Sequence, residues 1–65
     1  MDVIKVMEEA IEEERRAQEK YKRGAEEAGD PETRTLFEQL AHMEQTHERM
    51  LRDRLSALKL IRGEH

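Results

Sequence analysis

Cysteine and tryptophan are absent from this 65-residue chain, which holds one proline, three glycines, one tyrosine and one phenylalanine. Without cysteine there is no disulfide framework and no cysteine-ligated zinc or iron centre within the chain. No apolar run approaches the roughly 20 residues that span a bilayer. The opening Met1-Asp2-Val3-Ile4-Lys5 begins an amphipathic pattern, which is not that of a secretion signal. Basic clusters are also missing, and the formal net charge of −4 disfavours nucleic acid. The expected protein is cytoplasmic, with neither nucleic acid nor membrane among its partners. A chain of this size, 43% charged and 35% hydrophobic, is marginal for a lone core. Self-association, a metal, or both must supply what the core cannot.

What the sequence does have is helical periodicity. After Asp2, a capping residue, Val3, Met7, Ala10, Glu14, Ala17, Tyr21, Gly24 and Ala28 recur at alternating spacings of four and three. Ile4, Ile11, Gln18 and Ala25 widen the stripe, and the other positions are mainly Glu, Lys, Arg and Gln. Gly29 reads as a helix C-cap, and Asp30-Pro31-Glu32 as the cap, first position and acidic first turn of a second helix. That helix carries Phe37, Leu40, Glu44, His47, Leu51, Leu58 and Ile61 on one seam, flanked by Leu36, Met43, Met50 and Leu55, and Gly63 ends it. The expected fold is all-α: a single domain over residues 1–65, with helices over about 2–28 and 31–62. So short a connection makes the helices antiparallel.

Glu14, Glu44 and His47 interrupt the apolar seams, as does Arg54, whose packing role Leu55 takes over. Glu44 and His47 lie three residues apart on one helix face, where the apolar stripe should be continuous. Such a pair is costly unless something satisfies it, and a metal ion is a usual solution. Glu14 and Glu44 each lie 15 residues from Gly29, roughly 22 Å along a helix. The two carboxylates therefore face each other at one level, with His47 one turn further on.

One hairpin offers two carboxylates and one imidazole and leaves an apolar stripe facing water. Two hairpins paired about a two-fold axis form a four-helix bundle that buries the stripes and collects four carboxylates and two imidazoles. That is the donor set of dinuclear carboxylate bundles. Four glutamates offset two divalent metals, and without metal the clustered carboxylates should take up protons or water. Hard oxygen donors with some imidazole suit Fe(II), with Mn(II) as the alternative.

These residues resemble the ferritin-like superfamily in its rubrerythrin branch, where a ligand Glu, a Tyr seven residues later and a Glu-x-x-His on the next helix correspond to Glu14, Tyr21, Glu44 and His47. Glu13-Glu14-Arg15-Arg16-Ala17 and Leu36-Phe37-Glu38-Gln39-Leu40-Ala41 are also similar to that branch. Ordinary members hold two hairpins in one polypeptide. The half-length form is similar to encapsulated ferritins, whose two-helix chains build a di-iron ferroxidase centre across a subunit interface. The resemblance implies iron binding by Glu14, Glu44 and His47, with Tyr21 beside the ligands. Rubrerythrins add a Glu one turn after the first-helix ligand of one repeat, where this chain has Ala17. They draw electrons from a rubredoxin domain, so peroxidase turnover of that kind needs an outside reductant here. Encapsulated ferritins usually carry a C-terminal targeting extension. With the sequence ending at Arg62-Gly63-Glu64-His65, no encapsulating shell is expected as a partner.

The expected function is ferroxidase: a homodimer, or a higher oligomer of it, holding two irons per dimer and oxidising Fe(II) with O₂ or peroxide. Glu14 serves as a terminal or bridging ligand, Glu44 as the bridge and His47 as a terminal ligand. The alternatives are peroxide scavenging of the rubrerythrin or manganese-catalase kind, and a non-enzymatic helical dimer or structural metal module. Among the remaining polar residues, Glu48 is an edge candidate for ligation or metal entry. Glu12, Glu13 and His42 read as solvated, and His65 as a terminal residue. Met7, Met43 and Met50 read as core filler, and Arg54 as a side chain reaching solvent from the bundle edge.

Overall fold

The computed structural model describes residues 2–63, so His65 lies outside the described residues. Two α-helices make up the chain, α1 over Val3–Glu27 and α2 over Pro31–Ile61. Both start on an aspartate. The Asp2 side chain accepts a hydrogen bond from the Ile4 amide at 3.0 Å, and that of Asp30 accepts from the Thr33 amide at 2.8 Å. Each satisfies an amide that has no partner inside its helix. Pro31 follows at the first helical position, where its missing N–H costs nothing.

The helix ends differ from each other. Gly63 has φ +78°, and its amide reaches the Leu60 carbonyl at 3.0 Å, so α2 closes through a left-handed glycine. The expected glycine cap on α1 is corrected: the cap is Ala28, in extended backbone at φ −62° and ψ 129°. Leaving the helix in an extended conformation needs no left-handed residue, and Gly29 has no positive φ. The reversal from α1 to α2 is completed within Ala28–Asp30.

The hairpin measures 50 × 17 × 17 Å, one helix pair thick, with no third layer to cover it. Ile4, Ile11 and Ala41 are the buried hydrophobic residues, whereas Leu36, Met43, Met50, Leu60 and Ile61 are all more than half exposed. The α2 stripe is wide enough for two contacts. Its Ala41 flank meets α1, and its Leu36, Met43 and Met50 flank is open. Along the α1 contact, the Gln18 amide donates to Glu48 at 2.6 Å and Arg52 Nε donates to the same carboxylate at 2.7 Å. Lys59–Glu8 and Arg62–Asp2 approach at 3.9 and 3.8 Å near the open end. These last pairs are exposed and contribute little. No helix among the described residues is long and apolar enough to cross a membrane.

At Gly24 the absence of a side chain leaves room on α1 for the Phe37 ring of α2. A Cβ there would lie 2.9 Å from three atoms of the Phe37 ring, which is itself stacked on Tyr21 at 6.2 Å between centroids. Overpacking costs about 1–3 kcal/mol, against the roughly 1 kcal/mol of helix propensity that alanine brings. Gly24→Ala should therefore lower stability by up to about 2 kcal/mol, read from urea unfolding followed by helical circular dichroism. Gly29→Ala, with nothing within 4 Å of the new Cβ, should not.

Candidate metal centre

The middle of the hairpin brings Glu14 from α1 together with Glu44 and His47 from α2. One ligand atom from each lies within 4.8 Å of the others. His47 Nδ1 stands 3.6 Å from Glu14 Oε2 and 3.7 Å from Glu44 Oε1, too far for hydrogen bonds. The carboxylate side chains are 23% and 20% exposed and the imidazole 48%, so the cluster sits at the edge of the helix contact and opens toward the uncovered face. The groove leading to it is walled by Met7, Met50, Leu51 and Arg54.

Electrostatics show what the cluster lacks. As an ionised carboxylate, Glu14 has an enclosed Oε2 with no hydrogen-bond partner among the described residues. A proton shared with the Glu44 carboxyl, and after that burial and the Glu44 charge, hold the Glu14 pKa above its ordinary value of 4.5, while His47 opposes the rise. Two carboxyls at such range cannot both ionise without cost, so either a proton or a cation completes the group. A cation bonded at roughly 2.1 Å to each donor brings neighbouring donors to about 3 Å, so the observed spacing needs only small side-chain movements to close on a metal. The unpartnered oxygen and the oxygen-rich donor set thus fit an iron or manganese ion.

Other acidic and histidine side chains stay outside. Glu48 is held on the opposite flank by Arg52 and Gln18, and those two hydrogen bonds, Arg52 first, lower its pKa. It therefore does not join the donor group, and its edge candidacy for ligation is corrected: its oxygens already have partners. Glu12 is engaged by Arg15 at 2.8 Å and Arg16 at 3.5 Å, and Glu13 and His42 are exposed. Tyr21 lies two turns along α1 from Glu14, stacked on Phe37 with the rings 27° apart, and the Lys20 ammonium stands 5.1 Å from its ring centre. The Gln18–Glu48–Arg52 contact had a faint sequence signal: Gln18 is a polar residue inside the α1 stripe.

Residues 1–55 match the family model described as Rubrerythrin. The chain belongs to the rubrerythrin family. No match was found among curated proteins or among solved structures. Rubrerythrin-family proteins are ferritin-like di-iron carboxylate proteins that typically bind iron, and the 65-residue length fits a half-length, two-helix form. The matched span includes Glu14, Glu44 and His47.

The raised Glu14 pKa has a consequence for stability without metal. Folding favours the protonated carboxyl, so this contribution is fully present below about pH 4.5 and is lost as pH rises through the higher folded value. Glu48 and Asp30 are shifted the other way, and their contributions are lost only as pH falls below the ordinary carboxylate range. Melting of metal-free protein between about pH 4.5 and 7.5 should show a decline that Glu14→Gln flattens, with the variant the more stable at the upper end. A decline equally steep in Glu14→Gln would assign it to another group.

Proposed function

We propose that the chain is a di-iron ferroxidase whose metal site is completed by a second copy, with Glu14, Glu44 and His47 of each copy as ligands. The carrying observation is a half-complete donor set opening onto an uncovered apolar face: three donors within 4.8 Å, one enclosed carboxylate oxygen without a partner, and a groove walled by Met7, Met50 and Leu51. Two copies give four carboxylates and two imidazoles, the set that dinuclear carboxylate bundles use. A pair of irons held by Glu14, Glu44 and His47 of two copies would supply two electrons, one from each Fe(II), to reduce O₂ to peroxide or peroxide to water. The protein's own residues prepare the ground. Glu14, whose carboxyl is held above its ordinary pKa beside Glu44, would give up any proton it holds to an arriving cation, which couples metal uptake to proton release. His47 would contribute a ring nitrogen and Glu44 its carboxylate to a bound metal, the imidazole standing 3.6 Å from Glu14 and 3.7 Å from Glu44. The methionine and leucine walls exclude water from the covered site, which strengthens each charge interaction inside it. Tyr21 stands two turns from Glu14 on α1, with its ring stacked on Phe37.

A second reading, peroxide reduction at the same site, is favoured by the rubrerythrin match. With no cysteine in the chain, the reductant must come from elsewhere.

Anaerobic Fe(II) titration should saturate at about two irons per dimer, and air should then produce the near-ultraviolet absorbance of Fe(III). Faster oxidation by peroxide than by O₂ would select the second reading, and tight binding with no reaction toward either would indicate a structural metal module. Glu44→Ala and His47→Ala should each abolish stoichiometric iron. Unchanged metal content in both variants would remove the site assignment.

A further inference from the structure

We infer that Met43 and Met50 are peroxide-sensitive modification sites of the unpaired chain, and that their sulfoxides keep two copies from joining. This inference rests on the shared-site reading above. The two thioethers are 51% and 62% exposed on the open face of α2. They flank His47, four residues before it and three after, so all three side chains lie along one side of the helix. Met50 lies beside Glu14 and His47 in the groove. Met7, on the α1 side of that groove, is half-buried. The face that would complete the metal site is thus the face that presents oxidisable sulfur to solvent.

The modification needs only peroxide, an oxidant of the class that the proposed site handles. A sulfur lone pair attacks one peroxide oxygen, the O–O bond breaks, and the second oxygen leaves as water. Thioether and H₂O₂ become sulfoxide and H₂O, with two electrons passing from sulfur to peroxide. The product is polar and chiral where the thioether was apolar and flexible. On an exposed face the sulfoxide is hydrated and costs little. Under a second copy it must find a donor or lose that hydration uncompensated. Met50 has one cation in helical reach, Arg54, which lines the next depression with it, Asp53 and Ala57. Three and four positions from Met43 are Gln39, Leu40, Thr46 and His47, none of them a permanent cation. One guanidinium therefore serves at most one of the two sulfoxides.

Covering acts in the other direction as well. A paired, metal-loaded chain holds these sulfurs away from solvent, so peroxide acts on the halves that have not found a partner. Excess peroxide then withdraws unpaired chains from assembly, and enzymatic reduction of the sulfoxides returns them.

The test is peroxide treatment of the metal-free full chain, followed by peptide mapping and sedimentation equilibrium in Zn(II), a redox-inert ion. Trypsin places Met7, Met43 and Met50 on separate peptides, cut at Lys5, Arg15, Arg34, Arg49 and Arg52. Met43 and Met50 should oxidise several-fold faster than Met7, and Zn(II) loading should slow both about tenfold. The oxidised chain should keep its helical circular dichroism while its dimer affinity falls about tenfold or more. Methionine sulfoxide reductases should restore that affinity. Met43→Leu/Met50→Leu, an apolar exchange of similar volume, should pair equally tightly before and after peroxide, whereas Met7→Leu should lose its pairing as the wild type does. Oxidised wild-type chain that pairs as tightly as untreated chain overturns the inference and leaves the shared site standing. A double variant that still loses its pairing does the same, as do sulfurs that oxidise equally fast in the Zn(II) dimer. An untreated chain that stays monomeric in Zn(II) overturns the shared site and the methionine block together.

Discussion

Two carboxyl groups held side by side at the edge of a helix contact set the terms for the rest of this molecule. Glu14 and Glu44 come from different helices, and Glu14 has an enclosed oxygen without a partner. Helices that packed only to bury apolar surface would place leucine or methionine there. Carboxylates in that position work against the fold unless a proton or a metal compensates them. The hairpin therefore stores its functional group at a cost in stability, and the caps on Asp2 and Asp30 and the Gln18–Glu48–Arg52 contact offset part of it. Occupancy by a metal would turn the cluster into a clamp across the two helices and so couple metal binding to folding.

The same arrangement explains why so little is buried. A two-helix layer 17 Å thick has an inside only along one line. Ile4, Ile11 and Ala41 occupy that line. The α2 stripe is split between this contact and the open face, and the Glu14–Glu44–His47 cluster sits at the split. Polar chemistry and unpaired apolar surface thus share one boundary.

Much of this was legible from residue spacing. The helical pattern, the two aspartate caps and the common level of Glu14 and Glu44 follow from a 1.5 Å rise and a short turn. Other features depend on details that spacing does not carry. Which flank of a wide stripe meets the neighbouring helix is decided by fit, and here alanine at position 41 won over the larger Leu36 and Met43. Glu48 read as an edge ligand because its distance from Glu44 is one turn; its engagement depends on two long side chains, Gln18 and Arg52, adopting compatible rotamers. At the turn, the pattern favoured a glycine cap, but the chain leaves α1 through extended Ala28, which needs no special residue.

Asp2 and Arg62 approach to 3.8 Å, so the two ends of the described chain lie at the same end of a rod 50 Å long. Joining two copies in tandem would then cost very different lengths of peptide in the two pairings. With both rods pointing the same way, a few residues would suffice. With the rods reversed, the connecting segment must run the length of the bundle, about 15 extended residues. A tandem fusion with a short tether would therefore be confined to the arrangement in which both rods point the same way.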